Sequence, residues 1–114
     1  MKNEDHRQRV FLALADPTRR HLMETLATEG DRTPTELAGD LPITRQGVSK
    51  HLQILVDADL VTVRQEGRER YYSFQPQHLT EAISWVERVR AQWARRLDAL
   101  SGYLDRTAEM RESD

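Results

Sequence analysis

Cysteine is absent from the 114 residues. That removes disulfides, thiolate metal sites and cysteine nucleophiles, leaving histidine, carboxylates and hydroxyls as the available chemistry. Long apolar runs are also missing: none approaches the ~20 residues that cross a bilayer, so no membrane function is expected. The start, Met1-Lys2-Asn3-Glu4-Asp5-His6, lacks the apolar stretch of a secretory signal, and a cytoplasmic location is expected. There is no glycine-rich phosphate loop, no His-Glu metal motif and no pair of carboxylates in a plausible cleft, so neither an enzyme nor a cofactor is expected. An excess of positive charge is lacking too. The formal net charge is -2, which does not by itself suggest a partner held by its phosphates. Distribution matters more, however: Leu41 to Leu55 contains Arg45 and Lys50 and no acid.

What is present reads as one domain rich in helix starts. Val10, Phe11 and Leu14 recur at helical spacing, giving a short first helix from about Asp5 to Ala15 whose apolar face needs a partner. Asp16-Pro17 is an N-cap followed by proline at the first helical position. The second helix runs from Pro17 to Glu29 over Leu22, Met23 and Leu26, and Gly30 ends it. Thr33-Pro34-Thr35-Glu36 combines a capping box with an N1 proline and opens a third helix, Pro34 to about Asp40, with Leu37 and Leu41 inward. Pro42 breaks the chain and Thr44 caps a fourth helix to about Ala58. The period then changes. Val61 and Val63, then Tyr72 and Phe74, lie in two β-type segments joined through Glu66-Gly67-Arg68, a hairpin. Tyr71 and Tyr72 point to opposite faces, one of them into the core.

Pro76 ends the second strand, and nothing interrupts helix from there to about Arg106, whereas the polar stretch Thr107 to Asp114 is expected to fray. Leu79, Val86, Trp93 and Leu100 repeat every seven residues; Ile83, Leu97 and Leu104 form a second series with Arg90 in the open slot. This is the interval of helices packed side by side. A homodimer is expected, held by the last helix (Leu79, Ile83, Val86, Trp93, Leu97, Leu100, Leu104) and the first (Val10, Phe11, Leu14). Trp85 and Trp93 are expected to pack into that interface, the alternative being that they line an effector pocket. Residues 5–75 thus hold four helices and a wing, 76–106 a dimerisation helix and 107–114 a tail.

Two short helices separated by a tight turn and followed by a two-stranded ribbon form a winged helix-turn-helix: mostly α, in the order α-α-α-α-β-β-α. On a helical wheel, Val48, Leu52 and Leu55 fall on one side of the fourth helix and Gln46, Ser49, Lys50 and Gln53 on the other. Thr44 and Arg45 stand at its start. Glutamine pairs with adenine and arginine or lysine with guanine in the major groove, while serine and threonine reach phosphates or base edges, so these residue types suit double-stranded DNA. In the ribbon, Arg68 next to the turn is placed to reach the minor groove or phosphates. Arg64 and Arg70 lie nearer the backbone, and Glu66 and Glu69 weaken the local field. A two-fold dimer presents paired reading helices and matches an inverted repeat. The competing assignment is a winged-helix protein-interaction module without DNA binding.

Several ordered motifs carry a resemblance. Leu14-Ala15-Asp16-Pro17-Thr18-Arg19-Arg20, Thr35-Glu36-Leu37-Ala38, Gln46-Gly47-Val48-Ser49-Lys50-His51-Leu52, Ala58-Asp59-Leu60-Val61 and Glu66-Gly67-Arg68 with Tyr71-Tyr72 resemble the ArsR/SmtB family of bacterial regulators from about Phe11 to Phe74. The long Trp-containing last helix resembles a metal-independent, autorepressor-like subgroup. The resemblance implies a dimer joined through first and last helices, a recognition helix at Thr44–Ala58, and repression relieved by a signal. It also exposes a departure. Where well-known members carry a cysteine pair on the third helix, this chain has Ala38-Gly39. Beyond His78 the last helix has no histidine, and His6, His21, His51 and His78 each stand alone, without a second histidine at i+3 or i+4. No metal site is expected.

Overall fold

The structure, a computed structural model, describes residues 2–39 and 41–112. It divides into a unit ending at Ala82 and a second beginning at Ile83. The first holds α1 (Lys2–Leu14), α2 (Pro17–Glu29), α3 (Pro34–Ala38), α4 (Arg45–Asp57), β1 (Val61–Glu66), β2 (Glu69–Phe74) and a 3₁₀ turn (Pro76–Leu79). The last helix, α5 (Thr80–Glu112), begins there and makes up the second unit.

The boundaries have local causes. The Asp16 carboxylate accepts the Arg19 N–H at 3.0 Å, and Pro17 supplies a helix-ready φ, so α2 starts there. The same segment ends α1. The Arg19 guanidinium donates to the carbonyls of Ala13 and Leu12, both at 2.9 Å, and Arg20 donates to that of Leu14 at 2.6 Å, satisfying oxygens the helix leaves without partners. The Thr33 hydroxyl and Glu36 carboxylate complete the capping box on α3, and the Thr44 hydroxyl accepts the Gly47 N–H at 3.0 Å to cap α4. In the hairpin, Glu66 pairs with Glu69 across a two-residue turn. Gly67 has φ 60, as the first position of a type II′ turn requires, while Arg68 has no positive φ.

One core joins these elements: Val10 and Ala13 from α1, Leu22 and Leu26 from α2, Leu37 from α3, Val48, Leu52 and Leu55 from α4, then Leu60, Val61, Tyr72 and Ala82. Each fully buried aliphatic side chain stabilises this packing by about 1.5–3 kcal/mol. Of the two tyrosines Tyr72 is the buried one.

Val10 corrects the interface expected from the sequence. It is 1% exposed inside its own unit, so it is not free to meet a second chain. Phe11 and Leu14 are half-buried against the same core, whereas Leu12 on the opposite side is 55% exposed. Helical spacing identified the apolar stripe, but α2 and α4 already supply its partner.

From Ile83 on, α5 carries Ile83, Val86, Trp93, Leu97, Leu100 and Leu104 as exposed apolar side chains. The helix spans roughly 50 Å at 1.5 Å per residue. Its bounds differ from the expected 76–106. The start is delayed by the 3₁₀ turn at Pro76–Leu79, and the stretch from Thr107, expected to fray, is helical to Glu112. Ala108, Glu109, Met110 and Arg111 favour helix, and the Thr107 hydroxyl donates to the Tyr103 carbonyl at 2.9 Å. Residues 113 and 114, and Asp40 at the expected end of α3, lie outside the described residues. Among the described residues no helix is long and apolar enough to cross a membrane.

Candidate nucleic-acid interface

The inward face of α4 fixes what its outer face offers. With Val48, Leu52 and Leu55 in the core, Arg45, Gln46, Lys50 and Gln53 are exposed and Ser49 is half-buried. Arg45 and Gln46 occupy the first turn, immediately after the Thr44 cap. That cap engages the Thr44 hydroxyl. The Gln53 amide donates to the Asp57 carboxylate at 2.9 Å, one helical turn along.

Strand alternation sorts the wing. Gln65 and Arg70 are directly paired, on the same face as Val63 and the buried Tyr72; Arg64 and Tyr71 are paired on the other. The first face borders α4. Arg45, Ser49 and Gln53 of α4, Pro34 and Thr35 of α3, and Gln65, Arg68, Glu69, Arg70 and Tyr72 of the wing line one cleft of about 360 Å³. Three arginines against one glutamate make it locally basic although the whole chain is not. Gln46, Lys50 and Thr44 do not line it but belong to the same exposed edge of α4 or its cap. Pro34, Thr35, Gln65 and Tyr72 were missed from the sequence; the pairing of α3 with α4 and the alternation of β1 were the available signals.

Arg64 is not in the cleft. Its Nε donates to Glu66 at 2.9 Å, its Nη1 donates to Asp31, and its guanidinium lies 5.1 Å from the Tyr71 ring centre. This corrects its grouping with Arg70, since two carboxylates already neutralise the charge that was to face phosphate.

The histidines are less isolated than their spacing implied. His6 Nε2 lies 3.2 Å from the Ala58 carbonyl, which only accepts, and 3.4 Å from the Asp59 carboxylate; its ring meets His78 edge-on at 6.0 Å. His51 Nδ1 is 3.3 Å from Arg19 Nη1 and so accepts from it, tying α4 to the α1–α2 junction. Among the described residues no group of three or more His, Cys, Asp or Glu is placed to hold a metal ion.

Two carboxylates carry a pH dependence. The Arg19 backbone N–H holds the Asp16 carboxyl below its ordinary value of 3.8, and hydrogen bonding from the Arg64 side chain, then Ser73, does the same for Asp31. A carboxyl depressed in the folded state stabilises fully above its unfolded pKa, and that contribution is lost as pH falls through the folded value. Thermal midpoints are therefore expected to hold from pH 7 to 5 and to fall below about pH 4. Asp31→Asn should show a shallower acid decline than the parent. An identical decline in the variant would remove Asp31 as a contributor.

A capped helix-turn-helix whose second helix presents donors beside a basic two-stranded wing defines a winged helix-turn-helix transcriptional regulator. The family described as "Helix-turn-helix domain" matches residues 14–64. The chain is 42% identical over 95 residues to the HTH-type transcriptional regulator Rv2034 of Mycobacterium tuberculosis, covering 83% of this chain and 82% of that protein. It is 35% identical over 77 residues to the transcriptional repressor SdpR of Bacillus subtilis, covering 68% and 84%. Among solved structures, the ArsR-like transcriptional regulator from Rhodococcus sp. RHA1 superposes with a TM-score of 0.72 at 34% identity, covering 88% of this chain and 93% of that one. The homodimeric winged helix-turn-helix DNA-binding domain from Mycobacterium bovis superposes with a TM-score of 0.61 at 27% identity, covering 81% and 84%. The chain belongs to the ArsR/SmtB family of winged-helix transcriptional regulators.

Proposed function

We propose that this protein is a cytoplasmic repressor that binds an inverted-repeat operator as a homodimer and occludes the DNA it covers. The observation that carries the reading is the cleft in which Arg45, Ser49 and Gln53 of α4 face Arg68 and Arg70 of the wing. Arg45 and Gln46 enter the major groove and discriminate bases, Lys50, Ser49 and Gln53 flank them, and Arg68 and Arg70 neutralise phosphates beside the groove. The exposed series from Ile83 to Leu104 supports the dimer, and the partly buried Leu79, Phe11 and Leu14 are further candidates for it. The homodimeric M. bovis domain and the B. subtilis repressor support the assembly and the direction of control. Two-fold symmetry then sets half-sites about one helical turn, ~34 Å, apart. The protein needs no metal to bind.

The test is a titration of the protein, across salt, on the duplex upstream of its own gene and on a scrambled duplex. Tighter binding to the first, with log K falling linearly in log salt, is expected. Adding a chelator or stoichiometric zinc should leave both curves unchanged. No measurable binding to either duplex would favour the protein-interaction module, and a zinc-dependent shift would refute metal independence.

A further inference from the structure

Arg64 and the segment before α3 form a contact that DNA reading alone does not explain. Residues 31 and 32 grip the wing twice. The Arg32 and Tyr72 backbones exchange two hydrogen bonds, 3.3 Å from the Arg32 N–H and 2.9 Å from the Tyr72 N–H, an isolated antiparallel bridge onto β2. Next to it the Asp31 carboxylate accepts from Arg64 of β1, whose guanidinium also donates to Ser73 at 3.3 Å and lies against Tyr71, both on β2. One acidic side chain from the α2–α3 connection is thus bonded to a cation that spans both strands. The wing is also held by Tyr72, which is buried in the core, and at its base, where the Gln75 N–H donates to the Leu60 carbonyl at 2.8 Å and its amide to Thr62 at 2.9 Å. The clasp acts further out, two residues short of the end of β1.

We propose that Asp31 and Arg64 form a clasp that sets the angle of the wing against α4, making both positioning residues for DNA binding rather than phosphate contacts. The inference rests on the DNA-binding reading above. The clasp holds Arg68 and Arg70 over the cleft before DNA arrives, so less freedom is lost on binding. It has a counterintuitive sign. Removing a negative charge from a protein that binds a polyanion ordinarily tightens binding. Neutralising Asp31 instead weakens it, because the wing is released.

The experiment compares Asp31→Asn, Arg64→Met, the double variant and Glu66→Gln by anisotropy titration on the specific duplex across salt. Hydrogen exchange of the hairpin amides is measured without DNA. Asp31→Asn and Arg64→Met should each weaken binding about threefold to fivefold, the size of a partly exposed ion pair, and the double variant should be no weaker than either. The salt slope should stay that of the parent, and the Tyr71 and Glu66 amides, which belong to the hydrogen-bonded pairs of the ladder, should exchange faster in both single variants. Glu66→Gln removes the other carboxylate on Arg64, one within the wing itself, and should bind as tightly as the parent or tighter. If Asp31→Asn tightens binding as Glu66→Gln does, or Arg64→Met flattens the salt slope by ~0.9, Arg64 is a phosphate contact and the clasp is wrong. Unchanged hairpin exchange in Asp31→Asn would also overturn it. If the parent fails to prefer its specific duplex, the DNA-binding reading fails first, and the exchange data still decide whether the clasp holds the wing.

Discussion

Replacing Trp93 and Leu97 together with aspartate is expected to convert the protein from a dimer to a folded monomer and to lower its affinity for the inverted repeat by 10²-fold or more. In the single chain Trp93 is 56% and Leu97 59% exposed, at the middle of a row that runs from Ile83 to Leu104. A continuous apolar row of that kind marks an interaction surface, and large aromatic side chains near the centre of an interface carry much of its energy. Aspartate at both positions puts uncompensated charge where two copies meet, a cost that the remaining leucines do not offset. Once the copies part, the second half-site is no longer bound intramolecularly, and the effective concentration that links the two events is lost. The core of Leu22, Leu52, Leu55 and Leu60 lies wholly in the first unit, so its circular dichroism should persist. Sedimentation reads the result directly. A variant that keeps the dimer mass would reject the α5 interface.

The parts of this molecule legible in its sequence are those with local causes. Asp16, Thr33 and Thr44 each cap a helix through an atom three residues away, and composition alone announces such contacts. The inward face of α4 was equally plain, because period 3.6 separates Val48, Leu52 and Leu55 from the residues that face outward. Periodicity says that a face is covered, not by what, and Val10 was therefore assigned to a second chain when α2 and α4 already cover it. Arg64 fails for a different reason. Asp31 lies 33 positions away, and no local pattern joins them. Its place opposite Arg70 was nevertheless readable from the two-residue alternation that puts Val63 on one face and Arg64 on the other. The contact of His51 with Arg19 is likewise tertiary.

In the proposed mode of binding, α4 is the reader of bases. Arg45 and Gln46 are its first two residues, both exposed, on a helix held by a cap at one end and the core along its length. A bidentate contact in the major groove discriminates by about 1–3 kcal/mol, and a phosphate contact gives affinity without discrimination. The two kinds of variant therefore fail differently. Gln46→Ala should lose ~1–3 kcal/mol on the specific duplex and almost nothing on the scrambled one, relaxing sequence choice. Arg45→Ala should lose as much on the specific duplex and also weaken the scrambled one, because it removes a cation. Arg68→Ala should weaken both duplexes alike and flatten the salt slope by about 0.9. The decisive measurement is the ratio of specific to scrambled affinity for the parent, Arg45→Ala and Gln46→Ala, titrated side by side at one salt concentration. A ratio that falls about fivefold or more in Gln46→Ala and by a smaller factor in Arg45→Ala is the predicted result, and a ratio that neither variant changes would contradict it.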